Sequence, residues 1–205
     1  MLKVAVVLFD GVEELDFAGP LEVLGQAGDV FTVGPAREVR GRHGLTVRPD
    51  FTFADAPRPD VLVVPGGPVT REDPASLFET VAYVRRVAPF ARKVLSVCTG
   101  AFILAMAGQL HQRTVTTHFQ RRRLLADNFP DVHVAYRRVV MDGKFISTAG
   151  VSAGLDGALH LLFRLKGLEV ARRVANQIEY PWHVDEVMDA EPYTFWEEGQ
   201  RAIGW

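Results

Sequence analysis

The chain has 205 residues, 48% of them hydrophobic, with 23 Lys plus Arg, 25 Asp plus Glu and a formal net charge of −2. So balanced a charge gives no electrostatic case for a nucleic-acid or anionic-membrane partner, and a single cysteine rules out an intrachain disulfide and favours a reducing compartment. The apolar N-terminal run is short and lacks a signal-peptide cleavage pattern, and no stretch is long enough to span a membrane, so a cytoplasmic protein is expected. A chain of this size can bury roughly 70% of its unfolded surface, and no linker or repeat divides it, so residues 1–205 are read as a single domain.

In chain order, Leu2 to Phe9 is a β-branched-rich run, the pattern of a strand covered on both faces. Asp16 to Gln26 carries Phe17, Leu21 and Leu24 at helical spacing, with Gly28 as a stop. Val30 to Val33 is a second strand, and Arg40 to Phe53 reads as a loop or hairpin with short extended pieces. Val61 to Val64 is a third strand, cut off by Pro65-Gly66-Gly67-Pro68. Asp73 as cap with Pro74 at the first position predicts a helix to about Ala91. Lys93 to Val97 is the fourth strand, and Thr99 to Ala107 a helix ended by Gly108. A short helix around Leu124 to Asn128 follows. Val134 to Met141 and Lys144 to Thr148 are strands joined by the turn dipeptide Asp142-Gly143. Ser152 to Leu165 and Glu169 to Ile178 are the last helices, and residues 180–205 form an aromatic-rich extension of no assigned kind. Such alternation predicts an α/β fold with a parallel sheet between helices, and chemistry at the carboxyl ends of its strands.

Four features stand at those ends. In Leu95 to Ala101, strand meets helix with no loop between, and Cys98 occupies the corner. So tight a corner forces a strained backbone, and the helix N-terminus is expected to lower the thiol pKa. Free cysteines are otherwise commonly small buried hydrophobes. Gly66 and Gly67 follow a strand, and the Gly67 N–H with the Thr99 N–H would make an oxyanion hole; the plainer reading is a tight turn. Asp16 lies among the acidic residues after strand one, either as a helix cap or as a protonated carboxyl donating to the Cys98 sulfur, with Glu13 and Glu14 facing water. His118 ends an extended stretch from Arg113, and bears on the site only if the chain returns it to Cys98.

Together Gly11 to Val23, Val61 to Gly67, Ser96 to Ala107, Thr116 to His118 and Thr148 to Leu161 resemble the ThiJ/PfpI superfamily across almost the whole chain. The aspartate before Gly19-Pro20 and the Cys98-Thr99-Gly100-Ala101 corner resemble its isonitrile hydratase-like branch. The resemblance implies a flavodoxin-like three-layer sandwich related to class I glutamine amidotransferases. It implies Cys98 as nucleophile, Asp16 as its acidic partner, Thr99 as a residue needed for activity, and a homodimer. Phe119 departs from it, since relatives often follow the histidine with tryptophan.

The expected activity is hydration of an isonitrile to an N-substituted formamide through a covalent thioimidate. Rival expectations are glyoxalase- or hydrolase-like work on a small carbonyl compound, with His118 assisting, a protease, and an oxidant or ligand sensor without turnover. Regulators of the related type carry a helix-turn-helix region after this domain; with none before Trp205, DNA binding in cis is not expected. No cofactor is expected, and no metal, since His43, His111, His133 and His183 lack ligand spacing. Arg121-Arg122-Arg123 and Arg137-Arg138 read as solvated faces or ion pairs. Phe195, Trp196 and Trp205 read either as a dimer patch or as packed on their own domain.

Overall fold

A computed structural model describes residues 2–184. The tail aromatics Phe195, Trp196 and Trp205 lie outside the described residues. In chain order come β1 (Lys3–Val7), α1 (Glu14–Gly25), β2 (Asp29–Gly34), β3 (Val39–Arg40), β4 (Thr46–Val47), β5 (Phe51–Thr52), β6 (Val61–Val64), α2 (Val69–Glu72) and α3 (Phe78–Val87). Then follow β7 (Lys93–Ser96), α4 (Gly100–Met106), β8 (Thr114–Val115), α5 (Arg122–Asn128), β9 (His133–Val134), β10 (Val139–Asp142), β11 (Phe145–Thr148), α6 (Ala153–Lys166) and α7 (Leu168–Gln177).

Seven strands make one sheet in the order β10-β11-β7-β6-β1-β2-β5. All its neighbours run parallel except β10 and β11, which are antiparallel. Apart from Lys3 at the start of β1, the central strands β1 and β6 consist of valine, leucine and alanine because both of their faces are covered. From β1 the chain moves to β2 on one side, and from β6 to β7 on the other. Right-handed crossovers in opposite directions put α1 and α3 on opposite faces. α1 packs on α6 and α6 on α7, while α3 packs on α4. The result is a flavodoxin-like three-layer sandwich. The order reverses between β1 and β6, so the crevice at their carboxyl ends is where such sheets bind ligands.

Three local expectations differ from what forms. The helix expected from Asp73 to about Ala91 is broken into α2, a 3₁₀ turn at Pro74–Leu77, α3, and a second 3₁₀ turn at Ala88–Phe90. Asp73 makes no side-chain cap bond and sits outside the helical region, which the ring of Pro74 disfavours for its predecessor. The run Val134 to Met141 splits because its two ends serve different partners: β9 pairs with β8 and β10 with β11. Finally, α1 starts at Glu14 rather than Asp16, which puts Asp16 inside the first turn and not at the cap. Among the described residues no helix is long and apolar enough to cross a membrane.

Candidate active site

The corner between β7 and α4 carries Cys98 at φ 55°, the left-handed region that costs a non-glycine residue roughly 1–2 kcal/mol. Hydrogen bonds on both sides hold the strain. The Cys98 N–H donates to Ala149 O at 3.0 Å, and the Thr117 hydroxyl donates to Cys98 O at 2.7 Å. Directly after it, Gly100 lies against the end of β6. A methyl group there would overlap the Val64 carbonyl oxygen. We therefore expect Gly100→Ala to lower the melting temperature sharply, by more than about 3 kcal/mol in stability, because backbone rather than a flexible side chain is in the way.

The glycines after β6 do something other than what their spacing suggested. The Gly67 N–H, expected as an oxyanion donor, instead donates to Thr99 Oγ1 at 2.9 Å, and that hydroxyl in turn donates to Gly67 O at 3.1 Å. Thr99 thus clips the β6 loop to the corner. The Gly66 N–H donates to Asp16 Oδ2 at 2.9 Å. Both N–H groups are engaged within the protein. The backbone donors that reach the sulfur are those of Val151 and Thr99. Val151 follows β11 at φ 38°, unusual for a β-branched residue. Its turn is braced by Arg138, which ion-pairs with buried Asp156 at 2.6 Å and reaches Ser152 Oγ at 3.4 Å.

Asp16 has no solvent exposure. Burial is the main cause that pushes its carboxyl up to about 8, the Gly66 N–H pulls against this, and the Glu13 charge adds to it. At neutral pH Asp16 therefore holds a proton. Its Oδ1 makes no well-aligned hydrogen bond, and the Cys98 thiol is within hydrogen-bonding reach of the carboxyl. The expected lowering of the thiol pKa is not what the surroundings produce. Burial, together with the negative charge of an ionised Asp16, pushes Cys98 up to about 12, against the pull of the Val151 and Thr99 N–H groups. The helix that starts here is only seven residues long, too little to outweigh desolvation.

A cavity of about 210 Å³ opens over the sulfur. Its walls include Cys98, Thr99, Gly67, Val151 and His118, so the chain does return His118 to the cysteine. The His118 ring lies against Gly150, where a methyl group would overlap it. Further charged wall residues were missed in the sequence. Glu13, read as facing water, is 7% exposed and pairs with Arg42 at 2.7 Å, and both line the cavity. Arg121, read as a solvated or ion-paired face, is also in the wall. Of its neighbours, exposed Arg123 lies 3.7 Å from Asp127 as expected, but Arg122 is buried over the Tyr136 ring rather than solvated. Nothing in the sequence spacing ties positions 13, 42 and 121 together, since three separate loops bring them there. The fold also gathers Glu13, Glu14 and His43 with their polar atoms within 4.8 Å. His43 Nδ1 sits 2.8 Å from Glu14 and Arg42 neutralises Glu13, so the three polar groups already have partners within the protein.

Comparison with known proteins bears on this arrangement. Residues 2–163 match the DJ-1/PfpI family. The chain is 36% identical over 186 residues to an isonitrile hydratase of Pseudomonas putida, covering 87% of this chain and 78% of the relative. It is 30% identical over 154 residues to a deglycase of Thermococcus kodakarensis, covering 72% of this chain and 89% of the relative. The crystal structure of a ThiJ/PfpI family protein from Pseudomonas syringae superposes with a TM-score of 0.82 at 32% identity, over 89% of this chain and 76% of that one.

Proposed function

The chain belongs to the DJ-1/PfpI family, and from that premise we propose that it is a cysteine-dependent enzyme that hydrates small isonitriles to N-substituted formamides. The observation that carries this reading is the fully buried Asp16 carboxyl within hydrogen-bonding reach of the Cys98 thiol. Similarity to an isonitrile hydratase over most of the chain supports it.

Adding a thiol across the terminal carbon of an isonitrile needs a proton for that carbon and a sulfur that gives one up. Asp16 protonates the carbon while the sulfur attacks it, and the thiol proton returns to Asp16. One carbon–sulfur and one carbon–hydrogen bond form, giving R–N=CH–S–Cys98. The raised pKa values suit such a step, because both protons are in place before it begins. Water entering through the cavity then adds to the same carbon. Asp16 relays a proton from the water to the imine nitrogen. The carbon–sulfur bond breaks, the hydroxyl proton returns to sulfur through Asp16, and R–NH–CHO leaves. The Val151 and Thr99 N–H groups steady the sulfur as negative charge develops on it. Splitting one hard step into two is what a covalent nucleophile contributes.

The test is purified protein with a simple alkyl isonitrile. Formamide release, and a Cys98 adduct in intact mass under single-turnover conditions, are the expected results. Absence of both at high enzyme concentration ends this assignment. A second reading, turnover of a small carbonyl compound, is favoured by His118 in the cavity wall and by the deglycase relative; parallel assay of dicarbonyls separates the two. In either reading the protein works in the cytoplasm as a homodimer, which sedimentation would check.

A further inference from the structure

The cavity over Cys98 is walled by more charge than the chemistry above uses. Arg42 is committed to Glu13 at 2.7 Å, so these two cancel. Arg121 is different. It makes no ion pair with a carboxylate among the described residues, and its one side-chain bond, from Nη1 to Gln120 O at 3.4 Å, is long. Its place follows from the backbone. Residues Phe119–Arg121 form a 3₁₀ turn with His118 as its N-cap, closed by the Arg121 N–H donating to His118 O at 2.8 Å. That bond holds the two residues close together, and both line the cavity. At about 210 Å³ the space is smaller than the roughly 300–1,000 Å³ of sites for drug-sized ligands. A reactive carbon on the sulfur and a charged group at the wall must then belong to one small molecule.

We propose that Arg121 is an anion-binding residue of this site and that the preferred substrates are small isonitriles bearing a carboxylate. This rests on the reading of Cys98 as the nucleophile toward isonitriles. Guanidinium and carboxylate pair through two parallel N–H···O bonds, which fixes orientation as well as charge. A neutral isostere of the same size forgoes that pairing.

Two measurements test this separately from the parent reading. In the first, Cys98 is alkylated with iodoacetate or with iodoacetamide and followed by intact mass, which requires no hydratase activity. Relative to free cysteine in the same buffer, the iodoacetate-to-iodoacetamide rate ratio should be raised about 10- to 100-fold, the value of a charge-assisted hydrogen bond. It should fall back in Arg121→Gln and be partly kept in Arg121→Lys, a folded control that retains the charge. In the second, kcat/KM is compared for isocyanoacetate and its methyl ester. The acid should lead by a similar factor, and Arg121→Gln should erase that lead mainly through KM. An unraised alkylation ratio, or a preference that survives in Arg121→Gln, overturns the proposal. If both isonitriles turn over equally well, the proposal fails and the hydratase reading stands. If neither turns over while the alkylation preference is present and depends on Arg121, the hydratase reading fails and the anion site stands.

Discussion

Replacing Cys98 with alanine should reduce formamide release by at least about 10⁴-fold, the scale seen when a covalent nucleophile is removed, and should abolish the adduct in intact mass. The fold should survive. Alanine at φ 55° inherits the strain that Cys98 already bears, and the bonds from the Cys98 N–H to Ala149 and from Thr117 to Cys98 O use only backbone atoms of residue 98. A melting temperature near that of the parent protein, with activity lost, is the expected pair of results. Unchanged turnover in Cys98→Ala would exclude every mechanism that passes through the sulfur, including the carbonyl alternative. A protein that no longer folds would point instead to the sulfur as packing.

Asp16→Asn should have effects of opposite sign on activity and on stability. The asparagine oxygen can keep the bond from the Gly66 N–H, but the amide cannot deliver a proton as a carboxylic acid does. Turnover should fall about 10²–10⁴-fold, the usual worth of acid–base assistance. The carboxyl is raised from 3.8 to about 8 by burial. Stability due to its neutral form is therefore fully present below the unfolded value and is lost as pH rises toward and through about 8. Above that, the parent protein carries a charge in a fully buried position, and Asp16→Asn does not. The variant should gain on the parent by roughly a few kcal/mol in thermal melts at about pH 9 compared with about pH 5. Parent turnover should also decline as pH passes about 8, as the carboxyl gives up its proton. A pH-independent difference in stability would mean that Asp16 is ionised throughout, and the proton-donor role would be untenable.

The clip between Thr99 and Gly67 shows how motif and role part company. Pro65-Gly66-Gly67-Pro68 was legible as a backbone that something approaches closely, and the structure supplies the something: Thr99 against Gly66 and Gly11 against Gly67. That these were internal contacts, and that the donors go to Asp16 and Thr99 rather than to a ligand, depends on where three loops cross. The direction of the thiol pKa was misjudged for a related reason. The sequence places Cys98 at a helix start, but desolvation depends on everything packed around it.

The alternation of strand and helix, the parallel sheet, the corner at Cys98 and the interest of Asp16 are all legible along the chain. These are written in local patterns: β-branched runs for strands buried on both faces, helical spacing, and small residues after the cysteine. It takes the folded chain to bury Asp16 fully beside the sulfur, to bring the Val151 donor to it, and to gather Glu13, Arg42, His118 and Arg121 around one cavity. Those facts depend on residues far apart in sequence meeting where the strand order reverses. Burial, on which proton affinity depends, is a property of that meeting and not of any one segment.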